Sequence, residues 1–271
     1  MELFSKDFIL GNFRASDYGL GVGSFSYTGE SEDDIYITPS TIEEYIGQNP
    51  VPIYLGQKYE NKLELSLTVI KNPCVYSDDM NFTEKELRSI LRVITGNKGY
   101  QWLKLINEEI DNDLWYRARV SNIKYKRVGG NVVGIVIEMS CDSSFAWSKE
   151  YIVTINVKAD HKFYVFNNTD DLNNYVYPIV EIISSTNGNI NITNVTDNSW
   201  KSEIKNLKAD EKITIDSQRE IITSNFNHDL LLNDFNLHWF RFIPDKNEYI
   251  SDTDITITFK YRVPRKVGFI E

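Results

Sequence analysis

Hydrophobic and polar residues alternate along most of the chain, and the clearest example lies between residues 62 and 70. There Leu63, Leu65, Leu67 and Val69 are separated by polar side chains. Successive side chains of a strand point to opposite faces of a sheet, so this period of two predicts a strand with one buried face. The Asn-Pro pair that follows is expected to end it.

One segment breaks this period and predicts a helix over residues 83–95. Its start is a capping box, in which Thr83 and Glu86 bind each other's free backbone N–H groups. Apolar residues then recur at helical spacing and form one stripe, made of Leu87, Ile90, Leu91 and Ile94. Gly96 is predicted to be the left-handed residue just beyond the helix. A helix with a single apolar side is expected to pack on a sheet.

After the helix, two strand-like segments at residues 115–128 and 131–141 flank Gly129 and Gly130 and predict a long hairpin. A hairpin of this length can project from its domain and reach a neighbouring molecule. Its far end, residues 124–133, is our candidate for such an arm.

The strand pattern is interrupted near residue 145 and resumes as a series of short alternating strands. Pro178 is expected at a strand start, and no helical period is found after about residue 150. These observations predict a mainly β protein of two domains, residues 1–149 and 150–271, in which the second is a β-sandwich.

The charge balance disfavours several classes of partner. The 271 residues include 29 basic and 39 acidic side chains, which gives a formal net charge of −10. Binding to nucleic acid or to an anionic membrane needs a positive surface, so neither partner is expected. No apolar stretch is long enough to span a bilayer, and the first ten residues do not have the pattern of a secretory signal.

Histidines and cysteines give no sign of a metal site or a catalytic site. His161, His228 and His238 are widely spaced and form no ligand pattern with Cys74 or Cys141. The two cysteines are far apart and are expected to be free thiols. We therefore predict no catalytic, cofactor-binding or metal-binding residues, and no cofactor.

Acidic clusters and tryptophans leave alternatives open. A glycosidase pair is conceivable at Glu30–Asp34 or Glu108–Asp113, but solvated loops are favoured because adjacent acids repel one another. Trp200 and Trp239 could stack on sugar rings. Trp239 is instead predicted to lie in a core strand, whereas Trp200 has a polar context that fits either interpretation.

Two smaller motifs are best explained as turns. The glycines of GLGVG at residues 19–23 lack the surrounding βαβ unit that a phosphate-binding loop needs. Asp252 and Asp254 could bind calcium, but a turn is favoured.

The order of the segments carries more information than any one of them. KLELSLTVI and the helical FTEKELRSILRVITG precede GYQWLKLI, WYRARVSNI and GIVIEMSCDSSFAWS, and later come YPIVEI, INITN, EKITIDSQREIIT, LNDFNLHWFRFIP and ITITFKYRVPRKVG. This progression, which covers nearly the whole chain, resembles the distal tail protein family of bacteriophages, often called Dit.

The resemblance implies a tail-tube-like N-terminal β-sandwich with one helix and a projecting hairpin, followed by a galectin-like C-terminal β-sandwich. It also implies a homo-hexameric ring at the end of a phage or phage-like tail. Such a ring joins the tail-tube protein to the tail-tip or hub protein, the baseplate and receptor-binding or fibre proteins. The implied location is the virion tail tip, after synthesis in the host cytoplasm, and no enzymatic activity is implied.

Two further expectations complete this interpretation. A ring that DNA must traverse should repel phosphate, so acidic residues of the first half are expected to line its opening. A carbohydrate-binding module for host cell-wall glycans is the main alternative, because a galectin-like fold permits sugar binding without requiring it. A cell-wall glycosidase is a third.

Overall fold

The structure is a computed structural model that describes residues 6–23, 40–48, 50–59, 61–76, 79–96, 98–106 and 114–266. The chain divides into two compact units. The first extends to Trp147 and includes the chain again from Arg265, and the second is Ser148–Pro264. Antiparallel strands dominate both units, which confirms the predicted fold class of a mainly β protein with two β domains.

The first unit is built on one large antiparallel sheet. Its strands are β1 (Asp7–Leu10), β2 (Phe13–Arg14), β3 (Leu20–Val22), β4 (Ser40–Glu44), β5 (Ile53–Lys58), β6 (Glu64–Lys71), β7 (Gln101–Ile106), β8 (Trp115–Val128), β9 (Asn131–Cys141) and β10 (Ala146–Trp147). The spatial order is β2-β1-β7-β8-β9-β6-β3, and β10 pairs with β8. Strands β4 and β5 form a separate two-stranded sheet.

Helix α1 (Glu84–Gly96) packs its apolar stripe into the core of this unit. Leu87, Ile90 and Ile94 are buried in the same cluster as the alternating residues of β6. The capping box forms as predicted, because the Glu86 carboxylate accepts the Thr83 backbone N–H at 2.7 Å and the Glu86 N–H reaches the Thr83 hydroxyl at 3.3 Å. Helix and strand therefore share one core, as predicted, except that Leu91 of the predicted stripe is only half-buried and Val93 packs against the core instead.

The second unit is a β-sandwich. Its strands are β11 (Tyr151–Val157), β12 (Lys162–Asn167), β13 (Ile179–Ser184), β14 (Gly188–Asn194), β15 (Trp200–Leu207), β16 (Lys212–Asp216), β17 (Ile221–Ser224), β18 (Asp245–Ser251) and β19 (Ile255–Tyr261). The last strand of the chain, β20 (Pro264–Arg265), belongs to the large sheet described above. One sheet has the order β11-β19-β13-β16-β17 and the other β12-β18-β14-β15. Alternate residues of these strands, including Ile257 and Phe259, fill the core.

Two local predictions were wrong. Gly96 is the last residue of α1 and not a left-handed residue beyond it; a Cβ at this position would meet nothing, so the helix can continue through it. A second helix, α2 (Leu231–Asp234), forms in the second unit, where no helical period was found. Four residues span about one turn, which is too short to show a period.

Candidate assembly surfaces

The predicted hairpin forms from β8 and β9, with Gly129 and Gly130 at its tip. Both glycines have positive φ, at 57° and 87°, a conformation that other residues adopt with strain. Toward the tip the β8 side chains become exposed, with Tyr125 at 42% and Val128 at 65%. The outer part of the hairpin therefore offers side chains to a partner.

This hairpin also has a free edge. Strand β7 pairs with β8 only between Trp115 and Ala118, whereas β9 pairs with β8 as far as Val128. Among the described residues, no strand pairs with the second edge of residues 119–128. Register shifts after Val120 and Lys126 interrupt the strand, and irregular edges of this kind discourage indiscriminate pairing.

The free edge is basic although the protein as a whole is acidic. Arg119, Lys124, Lys126 and Arg127 follow one another along it without an acidic residue between them. Lys124 forms an ion pair with Glu138 of β9, and the Arg127 guanidinium donates to the Gly130 carbonyl at 2.9 Å. The negative net charge of the whole chain gives no indication of this local cluster of basic residues.

A groove lies beside the inner end of the free edge. It has a volume of about 450 Å³ and is lined by the end of α1, by Gly99 and Gln101, and by residues 119–123 of β8. Its lining includes the apolar Ile94 and Ile123 together with polar groups. The groove and the basic edge form one continuous surface along β8.

The two-stranded sheet of β4 and β5, which we call the ribbon (residues 40–58), is the second exposed surface. It pairs with no third strand among the described residues. Seven of its apolar side chains are 41–66% exposed, namely Ile42, Tyr45, Ile46, Val51, Ile53, Tyr54 and Leu55. A solitary two-stranded sheet is marginally stable in water, and a contiguous exposed apolar patch is typical of a protein interface.

The helix start is tied to the sheet by a buried lysine. Lys71 of β6 has a side chain only 5% exposed, and its ammonium lies 3.0 Å from the Glu86 carboxylate. The ammonium also lies over the rings of Tyr76 and Phe82. Partial burial works against ionisation of Glu86, but hydrogen bonds from Thr83 and Lys71 outweigh it and lower the pKa of Glu86. This cluster stabilises the first unit and offers no reactive group.

In the second unit, His228 joins two carboxylates. Its Nδ1 lies 2.8 Å from Glu211 Oε1 and its Nε2 lies 2.9 Å from Asp234 Oδ2 of α2. Carboxylates only accept hydrogen bonds, so both ring nitrogens must carry protons for both bonds to form. Burial opposes this charge, but the bonds to Asp234 and Glu211 outweigh it and raise the pKa of His228. The group, which we call the His228 clasp, fastens α2 to the sheet.

Trp200 does not present an open face to a ligand, and Trp239 packs beside the core. Trp200 begins β15, with His238 stacked at 4.2 Å between ring centroids and the Arg241 guanidinium carbon 3.8 Å from its centroid. Groups this close cannot share one face of the ring, so both faces are covered. Trp239 lies outside any strand, contrary to the prediction, and packs its edge against Phe235 beside the core.

The two aspartates considered as a calcium site form hydrogen bonds with other residues of the second unit. Asp252 accepts the Asn191 backbone N–H at 2.9 Å, and Asp254 binds Lys158 at 2.7 Å and the Ala159 N–H. The described residues contain no group of three or more side chains able to hold a metal ion. The carboxylates of Asp252 and Asp254 are thus both engaged in hydrogen bonds within the second unit.

His161 and His238 contact backbone carbonyls, those of Ala159 and Lys201. Cys74 and Cys141 are both free, as predicted; burial raises the pKa of the Cys141 thiol to about 12, and the adjacent Asp142 adds to this shift. Gly19 follows a short 3-10 turn in a left-handed conformation, so the first glycine of GLGVG is a turn residue.

Other predictions concern residues that the structure does not describe or concern membranes. The acidic clusters Glu30–Asp34 and Glu108–Asp113 lie outside the described residues, so the expected acidic lining of a bore stays a prediction. Across the described part of the chain, no helix combines the length and apolar character needed to cross a membrane.

Sequence reasoning missed the ribbon, the free edge and the His228 clasp. For the ribbon a signal existed, because the apolar segments TIEEYI and IYLG flank GQNPVP, a stretch rich in turn residues. The edge and the clasp depend on contacts between distant parts of the chain, which no local pattern records.

Two domain models match the chain, and solved structures share its fold. The model of a phage tail protein N-terminal domain matches residues 4–143, and the model of a phage tail C-terminal domain matches residues 145–261. The SPP1 Dit protein, described as a paradigm of the hub adsorption apparatus in phages that infect Gram-positive hosts, matches with a TM-score of 0.65 and 13% identity, over 94% of this chain and 98% of that one.

A chain from the phage P2 baseplate in its activated conformation with Ca matches with a TM-score of 0.52 and 8% identity, over 99% of this chain and 100% of that one. No curated protein matches the sequence. At these identities the structural matches establish a shared fold, and they confirm the resemblance to distal tail proteins at that level.

Proposed function

The chain belongs to the phage tail protein family that these two domain models describe, and from this premise we propose that it is a structural hub at the distal end of the tail. In this proposal six copies form a ring that joins the tail-tube protein to tail-tip or hub, baseplate and receptor-binding or fibre proteins. The copies are made in the host cytoplasm and reside in the virion tail. The protein acts by holding partners in place, without catalysis.

One observation carries the proposal: the fold matches that of SPP1 Dit over 94% of this chain, a span too long for either unit alone. That protein is described as part of a hub adsorption apparatus. Fold alone does not determine function, but membership of a phage tail family narrows the roles that this fold can take.

The exposed surfaces of the first unit support an assembly role. The ribbon leaves seven large apolar side chains exposed, and the outer half of β8 has an unpaired edge in the described structure. Both features are costly in a protein that works alone, because they invite aggregation. We assign ring formation to residues 1–149 and partner attachment to residues 150–271, and we retain these limits as the proposed domains.

The carbohydrate-binding alternative gains no support from Trp200, because both faces of its ring are covered within the protein. A glycan array remains the direct test of it, and binding of a cell-wall glycan would restore this alternative.

The hub proposal is tested by native mass spectrometry and negative-stain electron microscopy of the purified chain, alone and with the tail-tube protein. We expect a hexamer that appears as a ring with a central hole. A chain that stays monomeric under both conditions would contradict the proposal.

A further inference from the structure

The free edge of β8 and the ribbon are complementary in hydrogen bonding. Residues 119–128 of β8 present one row of backbone N–H and C=O groups to no strand in the described structure. The ribbon is a two-stranded sheet, so each of its strands pairs on only one side there. An unpaired edge is a template for another strand, and strand addition is a common mode of protein recognition.

The two surfaces are also complementary in charge. Lys126 and Arg127 lie on the β8 edge beside the exposed Tyr125, whereas Glu43 and Glu44 lie in β4 beside the exposed Ile42. Within the described residues, neither Glu43 nor Glu44 forms an ion pair. The ribbon also carries Lys58, but that residue pairs with Ser40 at the other end of the two strands. At the positions of Glu43 and Glu44 the ribbon therefore combines apolar side chains with negative charge, whereas the β8 edge combines them with positive charge. Complementary charges select the partner and disfavour self-pairing of like edges.

We infer that in the ring the ribbon of one copy adds to the free edge of β8 in the next copy, with Glu43 and Glu44 facing Lys126 and Arg127. This inference rests on the proposed ring. The ribbon's apolar side chains would enter the groove beside residues 119–123. Because the two surfaces differ, the interface is head-to-tail, and such an interface produces a closed ring when its rotation closes.

Charge reversal in the full chain tests the pairing. The hairpin variant is Lys126→Glu/Arg127→Glu, the ribbon variant is Glu43→Lys/Glu44→Lys, and a third variant carries all four changes. Native mass spectrometry over a concentration series gives the concentration of half-assembly. We expect each pair of reversals to raise the concentration of half-assembly about tenfold or more. The fourfold variant should have a concentration of half-assembly within about threefold of that of the unmodified chain.

Mixing sharpens the test. At the positions proposed to meet, the hairpin variant is acidic on both surfaces and the ribbon variant is basic on both, so each alone should fail to assemble. An equimolar mixture should form rings that contain equal numbers of the two variants, because every interface in an alternating ring then pairs opposite charges. Matched controls reverse two exposed charges elsewhere, Asp17→Lys/Glu84→Lys and Arg88→Glu/Arg92→Glu, and should assemble within about threefold of the unmodified chain.

The outcomes separate this inference from the hub proposal. Normal rings from both reversed variants would overturn the pairing and leave the hub standing. The pairing would also be overturned if the reversed variants lose the ring and neither the fourfold variant nor the mixture restores it. In that case both surfaces are needed for assembly, but they do not contact each other. If the unmodified chain forms no ring, even with the tail-tube protein, both the pairing and the hub proposal are contradicted. Thermal melting checks folding. Lys126→Gln/Arg127→Gln replaces the hairpin reversal if that variant unfolds, and Glu43→Gln/Glu44→Gln replaces the ribbon reversal.

Discussion

The two units differ in how completely they enclose their own strands. In the second unit, two sheets face one another across a single core, and even the short α2 is fastened by the His228 clasp. In the first unit, the sheet and α1 share a core, but the ribbon and the outer half of β8 extend without a covering layer among the described residues. The second unit therefore keeps its strands within one sandwich, although side chains such as Tyr164 and Phe166 are exposed on its surface, whereas the first has strand segments that extend beyond its core.

The largest effect on folding is expected in the closed core of the second unit. Phe259 is fully buried and contacts the rings of Phe242 and Tyr249 at centroid distances of 5.4 and 5.7 Å. Phe259→Ala should lower the free energy of unfolding by about 3–5 kcal/mol, because it removes apolar contacts and leaves a cavity. Chemical denaturation measures the change, and Thr258→Val, on the outer face of the same strand, is the control. Equal effects of the two changes would contradict a closed core at this position.

The next effect concerns the junction of α1 with the sheet in the first unit. Glu86→Ala removes both the capping carboxylate and the partner of the buried Lys71 ammonium, so we expect a loss of about 2–3 kcal/mol. Glu84→Ala, in the same helical turn, should change the free energy of unfolding by less than about 0.5 kcal/mol. Hydrogen exchange measured by mass spectrometry localises the loss to the start of α1. Unchanged protection there would show that Glu86 is dispensable.

Contacts between neighbours in the sequence could be predicted, whereas contacts between distant segments could not. The capping box at Thr83 and Glu86 and the alternation through Leu63 and Val69 were predictable, because both depend on neighbours within a few residues. The ion pair between Lys71 and Glu86 was not predictable, because it joins a strand to a helix across a turn. Nor did any local pattern show that Trp200 is enclosed by His238 and Arg241, whose approach depends on the tertiary fold.

The same limit of sequence reasoning applies to the two exposed surfaces of the first unit. A hairpin at Gly129 and Gly130 was predicted from its turn and its flanking strands, and it formed. That one edge of β8 lacks a neighbour depends on where β7 ends, which alternation alone does not reveal. The ribbon was overlooked, although turn residues separate its two strands, because its apolar residues stand side by side and do not alternate with polar ones.

A smaller and pH-dependent effect is expected at the His228 clasp. The folded pKa of His228 is raised, so its bonds stabilise the fold below its ordinary pKa and this contribution is lost as pH rises through the folded value. Burial opposes ionisation of Glu211, yet hydrogen bonds from the Lys208 backbone, Ser224 and His228 lower its pKa. The bond from His228 is the main cause that lowers the pKa of Asp234. The contribution of both carboxylates is therefore lost as pH falls through their folded pKa values.

The clasp should therefore be strongest in the mildly acidic range between these limits. His228→Gln should lower the free energy of unfolding by about 1–2 kcal/mol near pH 5–6 and by less as pH rises above the raised histidine pKa. Denaturation across a pH series measures the difference between the two proteins. His161→Gln, at an exposed histidine of the same unit, is the control, and a difference that does not change with pH would contradict a charged clasp.

The smallest effect on folding, and the sharpest contrast with Phe259, is expected in the ribbon. Tyr54→Ser/Leu55→Ser removes two large apolar side chains that are each 58% exposed, so little buried contact is lost. The free energy of unfolding should change by no more than about 0.5 kcal/mol, since surface substitutions rarely cost more. If the ribbon is covered only on assembly, the same variant should lose the hexamer in native mass spectrometry while its monomer melts normally. A clear loss of monomer stability would instead show that the ribbon is already packed within its own chain, and the contrast between the two units would then disappear.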